Sequence, residues 1–199
     1  MSASPPSCRP LRDEEERRAA REIVRRVYEK QGYDVNSGSI ARYLDGPDAA
    51  TFGLFYQDAL YATISVVGDG AQGLPMDTIY ADELAPWRSE GKKLAEVVQF
   101  AVDHDVYVKI SGKKPSPFEA APLFAAVLSH ALQKHIDYLC ISINPKHDRF
   151  YGMLGFKQIG ELKHYASVNA PAIARAFYVP DWKTHPFIAS FMDKEMLRT

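Results

Sequence analysis

The chain has 199 residues, of which 46% are hydrophobic and 25% charged, with a net charge of −1. That size and balance suit one globular domain with its own core, and the near-neutral charge argues against bulk nucleic-acid binding. No apolar run reaches the ~20 residues that a bilayer-spanning helix needs, and Met1–Pro10 lacks the apolar segment of a secretory signal.

Residues 1–12, rich in Ser and Pro at the start, read as a disordered tail ahead of a domain over 13–199. Cys8 falls in that tail and Cys140 in the apolar run Tyr138–Ile143, so no disulfide framework is expected and a reducing cytoplasm is the default location. Asp13–Lys30 predicts an amphipathic helix, because Ala20, Ile23, Val24 and Val27 recur at helical spacing. Asp13 to Glu16 set acids in its first turn, which suits the helix dipole. Arg17, Arg18, Arg21, Arg25 and Arg26 read as its solvated face; the second reading is a dock for an acidic partner.

Thr51–Tyr56 and Ala59–Val67 predict two strands joined at Gln57-Asp58, a hairpin spacing. Leu74–Asp77 opens a connecting stretch that runs through Trp87 to Gly91. Leu94–Val102 predicts a central strand, although Glu96 and Gln99 interrupt its apolar run. Val106–Ile110 reads as an extension of the following loop, and Ser111–Pro117 is rich in turn formers. Ser116-Pro117-Phe118-Glu119 has the form of a capping box for a helix running to about Lys134. Tyr138–Ile143 predicts the next strand and Asp148–Leu154 a helix that Gly155 stops. Phe156–Gly160 and Ala172–Val179 predict two closing strands, with Val168–Pro171 between them and a short outer helix within Pro180–Thr199. The strand–helix–strand unit from Leu94 to Ile143 requires a right-handed parallel crossover. The fold class is therefore α/β, with a mixed central sheet flanked by helices.

Glu96 is the chemically informative residue of the central strand. An unpaired carboxylate in an apolar strand costs several kcal/mol, so it is expected to be ion-paired, protonated or solvated by a pocket. Strand period sets Glu96, Val98, Phe100 and Val102 on one face and Gln99 on the other. A β-bulge near Val97 or Val98 would turn Glu96 and Gln99 toward the same cleft. Other chemistries lack their motifs. No Gly-x-Ser-x-Gly elbow occurs, Gly112-Lys113-Lys114 lacks the rest of a phosphate loop, and His130 and His135 have no zinc spacing. No metal site is expected; His147 and His164 have a proton-transfer reading but read first as exposed loop residues.

The segment Asn144-Pro145-Lys146-His147-Asp148-Arg149-Phe150-Tyr151, closed by Gly155-Phe156, resembles the last motif of the GCN5-related N-acetyltransferase (GNAT) superfamily. The resemblance implies a GNAT-like fold in which Tyr151 lies over a thioester and protonates the leaving thiolate. Ordinary members follow the central strand with a glycine-rich loop that cradles the coenzyme A pyrophosphate. Asp103–Pro115 stands in that place with Gly112 as its only glycine.

Four stretches resemble more narrowly the long-chain N-acyl-amino-acid synthases, relatives of the acyl-homoserine-lactone synthases. They are Gly73–Asp77, Lys93–Val97 with Phe100–Asp103, Asn144–His147 with Phe150-Tyr151, and Val168–Pro171. That resemblance implies an acyl group carried as a phosphopantetheine thioester on acyl carrier protein, an amino acid's amine as acceptor, and no bound cofactor. It implies Glu96 as base and Tyr151 as acid. Val98, Gln99, Phe100 and Val102 would line the donor, Lys113 and Lys114 would meet its phosphate, and Asn144 would bond the pantetheine amides or simply end its strand. Related synthases commonly have Arg where this chain has Gln99, so the acceptor's carboxylate needs another cation: Arg88, Lys92, Lys93 or Arg149. Two other readings remain open at this level, a divergent acyl- or acetyl-CoA N-acetyltransferase and a non-catalytic thioester-binding module.

Overall fold

A computed structural model describes residues 6–34, 40–114, 116, 119–186, 188–190 and 192. Strand β1 (Ser7–Pro10) pairs antiparallel with β2 (Ala49–Tyr56). These residues were expected to belong to a disordered tail. Four residues ending in Pro carry no strand period of their own; the edge of β2 supplies their partners. Arg9 then fixes β1 to the rest, bonding Glu16 and stacking 3.8 Å over the Phe55 ring.

Helix α1 (Glu14–Lys30) starts at Asp13, whose side chain accepts the Glu16 N–H. Its apolar stripe of Ile23 and Val24 packs on Ala101. The predicted hairpin forms between β2 and β3 (Ala59–Gly68), with Gln57 and Asp58 both at positive φ, the geometry of a two-residue turn of primed type. A single turn of helix, α2 (Ala41–Leu44), precedes it.

The stretch to Gly91 contains helix α3 (Asp77–Ser89), which leaves helical geometry at Tyr80. Central strand β4 (Leu94–Val102) has its predicted bounds. Val106–Ile110 is not loop but most of helix α4 (His104–Ser111). Asp103 caps it, Tyr107 anchors it in the core, and Gly112 stops it at φ +67°. Eight residues with one buried anchor show too little period to be read as a helix.

Helix α5 (Ala121–Gln133) begins at Ala120 rather than at the capping box. Pro117 and Phe118 of that box lie outside the described residues. Strand β5 (Tyr138–Ile143) and helix α6 (Asp148–Met153) follow as expected. The closing hairpin is longer than predicted: β6 is Lys157–Tyr165 and β7 is Ala170–Tyr178, and Val168–Asn169 lies in the tight turn between them. Beyond β7 a 3₁₀ segment, Val179–Thr184, leads to Ile188 and Met192, which are buried in the main core.

Among the described residues seven strands form one mixed sheet in the order β1-β2-β3-β4-β5-β7-β6. Only β4 and β5 run parallel, as the crossover through α4 and α5 requires. Register sorts the two faces. Ala95 and Val97 face α5 in the largest core cluster, whereas Leu94 packs with Leu74, Tyr80 and Leu84 of the α3 side.

Candidate active site

Pairing between β4 and β5 covers Leu94–Glu96 against Tyr138–Cys140 and ends there, while both strands run on. The sheet is thus split beyond Glu96. On its other edge β4 stays paired with β3, but Ser65 lies opposite Val98 and Thr63 opposite Ala101, so one extra residue is accommodated at Gln99–Phe100. Gln99 takes φ +53°, a left-handed conformation unusual for a residue with a side chain. The expected bulge is present, one or two residues later than predicted. Its effect is the anticipated one: Gln99 lies in a cleft with Thr63 and Ser65, which share the sheet face of Glu96.

Glu96 is 2% exposed and faces α3. Its Oε2 accepts the Met76 N–H at 2.7 Å. Burial pushes the carboxyl up to about 8; the Met76 N–H opposes that shift and nearby Asp77 adds to it. Among the described residues no cation pairs with it, so no opposite charge offsets the upward shift that burial causes.

The donor of that single bond is set by a built loop. Gly73, at φ +68°, leaves room for the Asp77 carboxylate, which a Cβ there would strike. Asp77 accepts the Leu74 N–H, and the Pro75 carbonyl accepts the Tyr165 hydroxyl at 3.0 Å. The Gly73–Asp77 stretch thus aims one backbone N–H at Glu96, a role that sequence alone had not given it.

Arg88 holds the same loop. It bonds Asp69 at 2.7 and 2.9 Å and Asp77 twice at 2.8 Å. Both forks of its guanidinium are taken, so it reaches an acceptor's carboxylate only by releasing an aspartate. Arg149 is exposed on α6, and Lys92 and Lys93 lie at the amino end of β4, away from the bulge.

Tyr151 is buried among Phe124, Phe150 and Phe156, with ring centroids 6.5, 5.1 and 5.9 Å away. Burial raises its phenol pKa, and the phenols of Tyr28 and Tyr33 raise it further. Tyr28 packs with Ala101 on the α1 face of the sheet, whereas the Tyr151 ring belongs to the α5 side. Tyr33 is a further phenol of this region; its hydroxyl is buried and has no hydrogen-bond partner among the described residues. Nothing in the spacing of Tyr28 and Tyr33 foretold this meeting, because it depends on how α1 ends over the sheet.

Val98, Phe100 and Val102 are half-buried. Phe100 packs 5.0 Å from Phe124, which continues to Phe150 at 5.8 Å, giving an aromatic lane beside Tyr151. Asn144 accepts the Lys146 N–H at 3.1 Å and caps a 3₁₀ turn, its strand-ending role. Lys113 and Lys114 are exposed beyond α4.

Sequence reading also missed Asp103. This 4%-exposed carboxylate accepts the Val106 N–H at 3.1 Å and two bonds from Arg26 at 3.0 and 2.9 Å. The helix N-terminus that directly follows β4, where a phosphate would be welcome, already holds an anion.

A mixed sheet split at its central parallel pair, with a bulged strand and a buried carboxylate beside the split, defines an acyltransferase of the GNAT fold. Solved structures agree. An N-acetyltransferase from Staphylococcus aureus Mu50 covers 89% of this chain and 99% of its own at TM-score 0.56 and 15% identity. The coenzyme A-dependent acyl-homoserine lactone synthase BjaI covers 90% and 81% at TM-score 0.61 and 15% identity. Both show likeness of fold. FeeM, an N-acyl amino acid synthase from uncultured soil microbes, matches at TM-score 0.90 and 63% identity over 96% of this chain and 100% of that one. The family described as N-acyl amino acid synthase FeeM matches residues 19–177. Comparison with curated proteins gave no match. The chain belongs to the FeeM family of N-acyl amino acid synthases and is an acyltransferase. Among the described residues no helix is long and apolar enough to cross a membrane.

Proposed function

We propose that the protein moves a long-chain acyl group from the phosphopantetheine thioester of acyl carrier protein to the α-amine of an amino acid. The observation that carries the reaction is Glu96, a buried carboxyl with a pKa of about 8 beside the split in the sheet. Its carboxylate takes a proton from the acceptor's ammonium, directly or through water. The freed amine attacks the thioester carbon, and a tetrahedral oxyanion forms. Backbone N–H groups at the split stabilise that oxygen without reorganising. The C–S bond then breaks, the nitrogen, cationic after its attack, loses its second proton to solvent, and Tyr151 gives its own proton to the departing thiolate. Solvent returns a proton to the phenolate and removes the one on Glu96. The half-buried lane of Phe100, Phe124 and Phe150 suits an alkyl chain lying next to the reacting carbon.

The donor assignment is supported by Asp103. Coenzyme A brings a pyrophosphate to the segment after the central strand, and that anion would meet the capped, Arg26-locked carboxylate. A carrier protein brings one phosphate, for which exposed Lys113 and Lys114 suffice. Side-by-side kcat/KM values with a matched long-chain acyl-carrier protein and acyl-CoA test this. Preference for the carrier by tenfold or more is expected, with KM for the carrier alone rising as salt is added. Equal or better use of acyl-CoA sinks the donor assignment and leaves the acyl transfer standing.

A further inference from the structure

From the cleft at Gln99 we infer that Arg17 and Arg21 of α1 hold the α-carboxylate of the acceptor amino acid. This rests on the acyl-transfer reading above and supplies the cation that Gln99 does not.

Four observations converge. Arg17, Ala20 and Arg21 are one helical face, i, i+3 and i+4, and all three line the cleft. The floor is polar where a sheet face under a helix is ordinarily apolar. Thr63 and Ser65 are each 1% exposed; Ser65 bonds Thr51 at 2.9 Å, and Thr63 bonds the Phe52 carbonyl at 3.1 Å. Gln99 is brought to this floor by its left-handed backbone, a strain that packing alone would not call for. The strand places the floor next to Glu96: Val98 lies opposite Ser65, and Glu96 opposite Val67, on the same face.

The charges fit an amino acid. Two arginines and Asp45 are the ionisable groups of the cleft, so its own balance favours an anion. Both arginines bond Glu14, which is exposed and lies outside the cleft lining. Water screens such a pair, so a ligand carboxylate exchanges with Glu14 at small cost. Arg25, by contrast, is tied to both Glu22 and Glu29. A guanidinium fork matches a carboxylate bidentately, and the Gln99 amide adds a neutral donor. Held there, the acceptor would lie on the sheet face that Glu96 shares.

The test compares two acceptors that differ only in the carboxylate. The wild-type protein is given an equimolar mixture of the twenty proteinogenic L-amino acids with an acyl-carrier thioester, and the best acceptor is taken forward with its primary amide. The wild type should prefer the acid over the amide by about 10–100-fold in kcat/KM, the range for hydrogen bonds to a charged group. The double variant R17A/R21A should lose that preference through a raised KM for the acid, with the amide rate and the donor KM unchanged. Ala keeps the exposed helix intact. Glu in place of Gln99 (Q99E) should penalise the acid more than the amide, by repulsion. Retention of the acid preference in R17A/R21A, or equal use of acid and amide by the wild type, overturns the inference while N-acylation stands. No N-acyl product from either acceptor overturns the parent reading and this inference together.

Discussion

Glu96→Gln is expected to lower kcat by about 10²–10⁴-fold, the range for a lost general base. The substitution keeps volume and keeps an oxygen that can accept the Met76 N–H. The pH profile separates a lost base from a damaged fold. With Glu96 as the proposed base, only its ionised carboxylate would work in the wild type, so kcat/KM should rise with pH up to about 8 and then level from this group. In the variant that limb should vanish, leaving the limb set by the acceptor's own amine. Near-wild-type turnover in the variant would mean that the amine loses its proton to solvent or to another group.

Stability gives an independent reading of the same carboxyl. Its folded pKa, about 8, lies above the ordinary 4.5. Between those values the folded state binds more protons than the unfolded chain, so stability falls as pH rises. The contribution is fully present below 4.5 and lost as pH passes through about 8. Each pKa unit is worth about 1.4 kcal/mol, so the loss is on the order of several kcal/mol for a group buried this deeply. Gln does not ionise. Thermal unfolding should therefore find Glu96→Gln gaining on the wild type between pH 5 and pH 9. A constant gap in Tm across that range would place the Glu96 pKa near its ordinary value and remove the basis for its role.

The fold was legible where period and topology agree. Leu94–Val102 and Tyr138–Ile143 have their predicted bounds, because buried parallel strands show as continuous apolar runs between turn residues. β1 and α4 were not legible. The first exists because β2 has a free edge, and the second because Asp103 caps eight residues with little period. The site divides in the same way. A carboxylate in an apolar strand announces itself, so Glu96 stood out. Its Met76 donor could not, since a backbone N–H has no signature until Gly73 and Asp77 are seen to shape the loop. Arg17 and Arg21 read as solvated charge. Only the positive φ of Gln99 and the hydroxyl-lined floor beneath them turn that helix face into one side of a cleft.

Tyr151→Phe should lower kcat by about 10²-fold, the lower end of the range for a general acid, because a thiolate is a fairly good leaving group. Donor KM should change little, since the hydroxyl is needed as charge develops on sulfur and not before. The ring's place among Phe124, Phe150 and Phe156 is kept, so the fold should hold. The phenol is buried, and its pKa is raised by that burial and by Tyr28 and Tyr33. It therefore stays protonated across the working range, as an acid for this step must. In the proposed reaction the phenol would meet the thioester at the split, where β4–β5 pairing ends at Glu96 and Cys140. A donor with a better leaving thiol provides the decisive comparison. An acyl thioester of an aromatic thiol needs no proton on sulfur, so the variant's deficit should shrink toward unity with that donor. A deficit of the same size with both donors would mean that Tyr151 positions the acyl chain or packs the core, and that the thiolate leaves unaided.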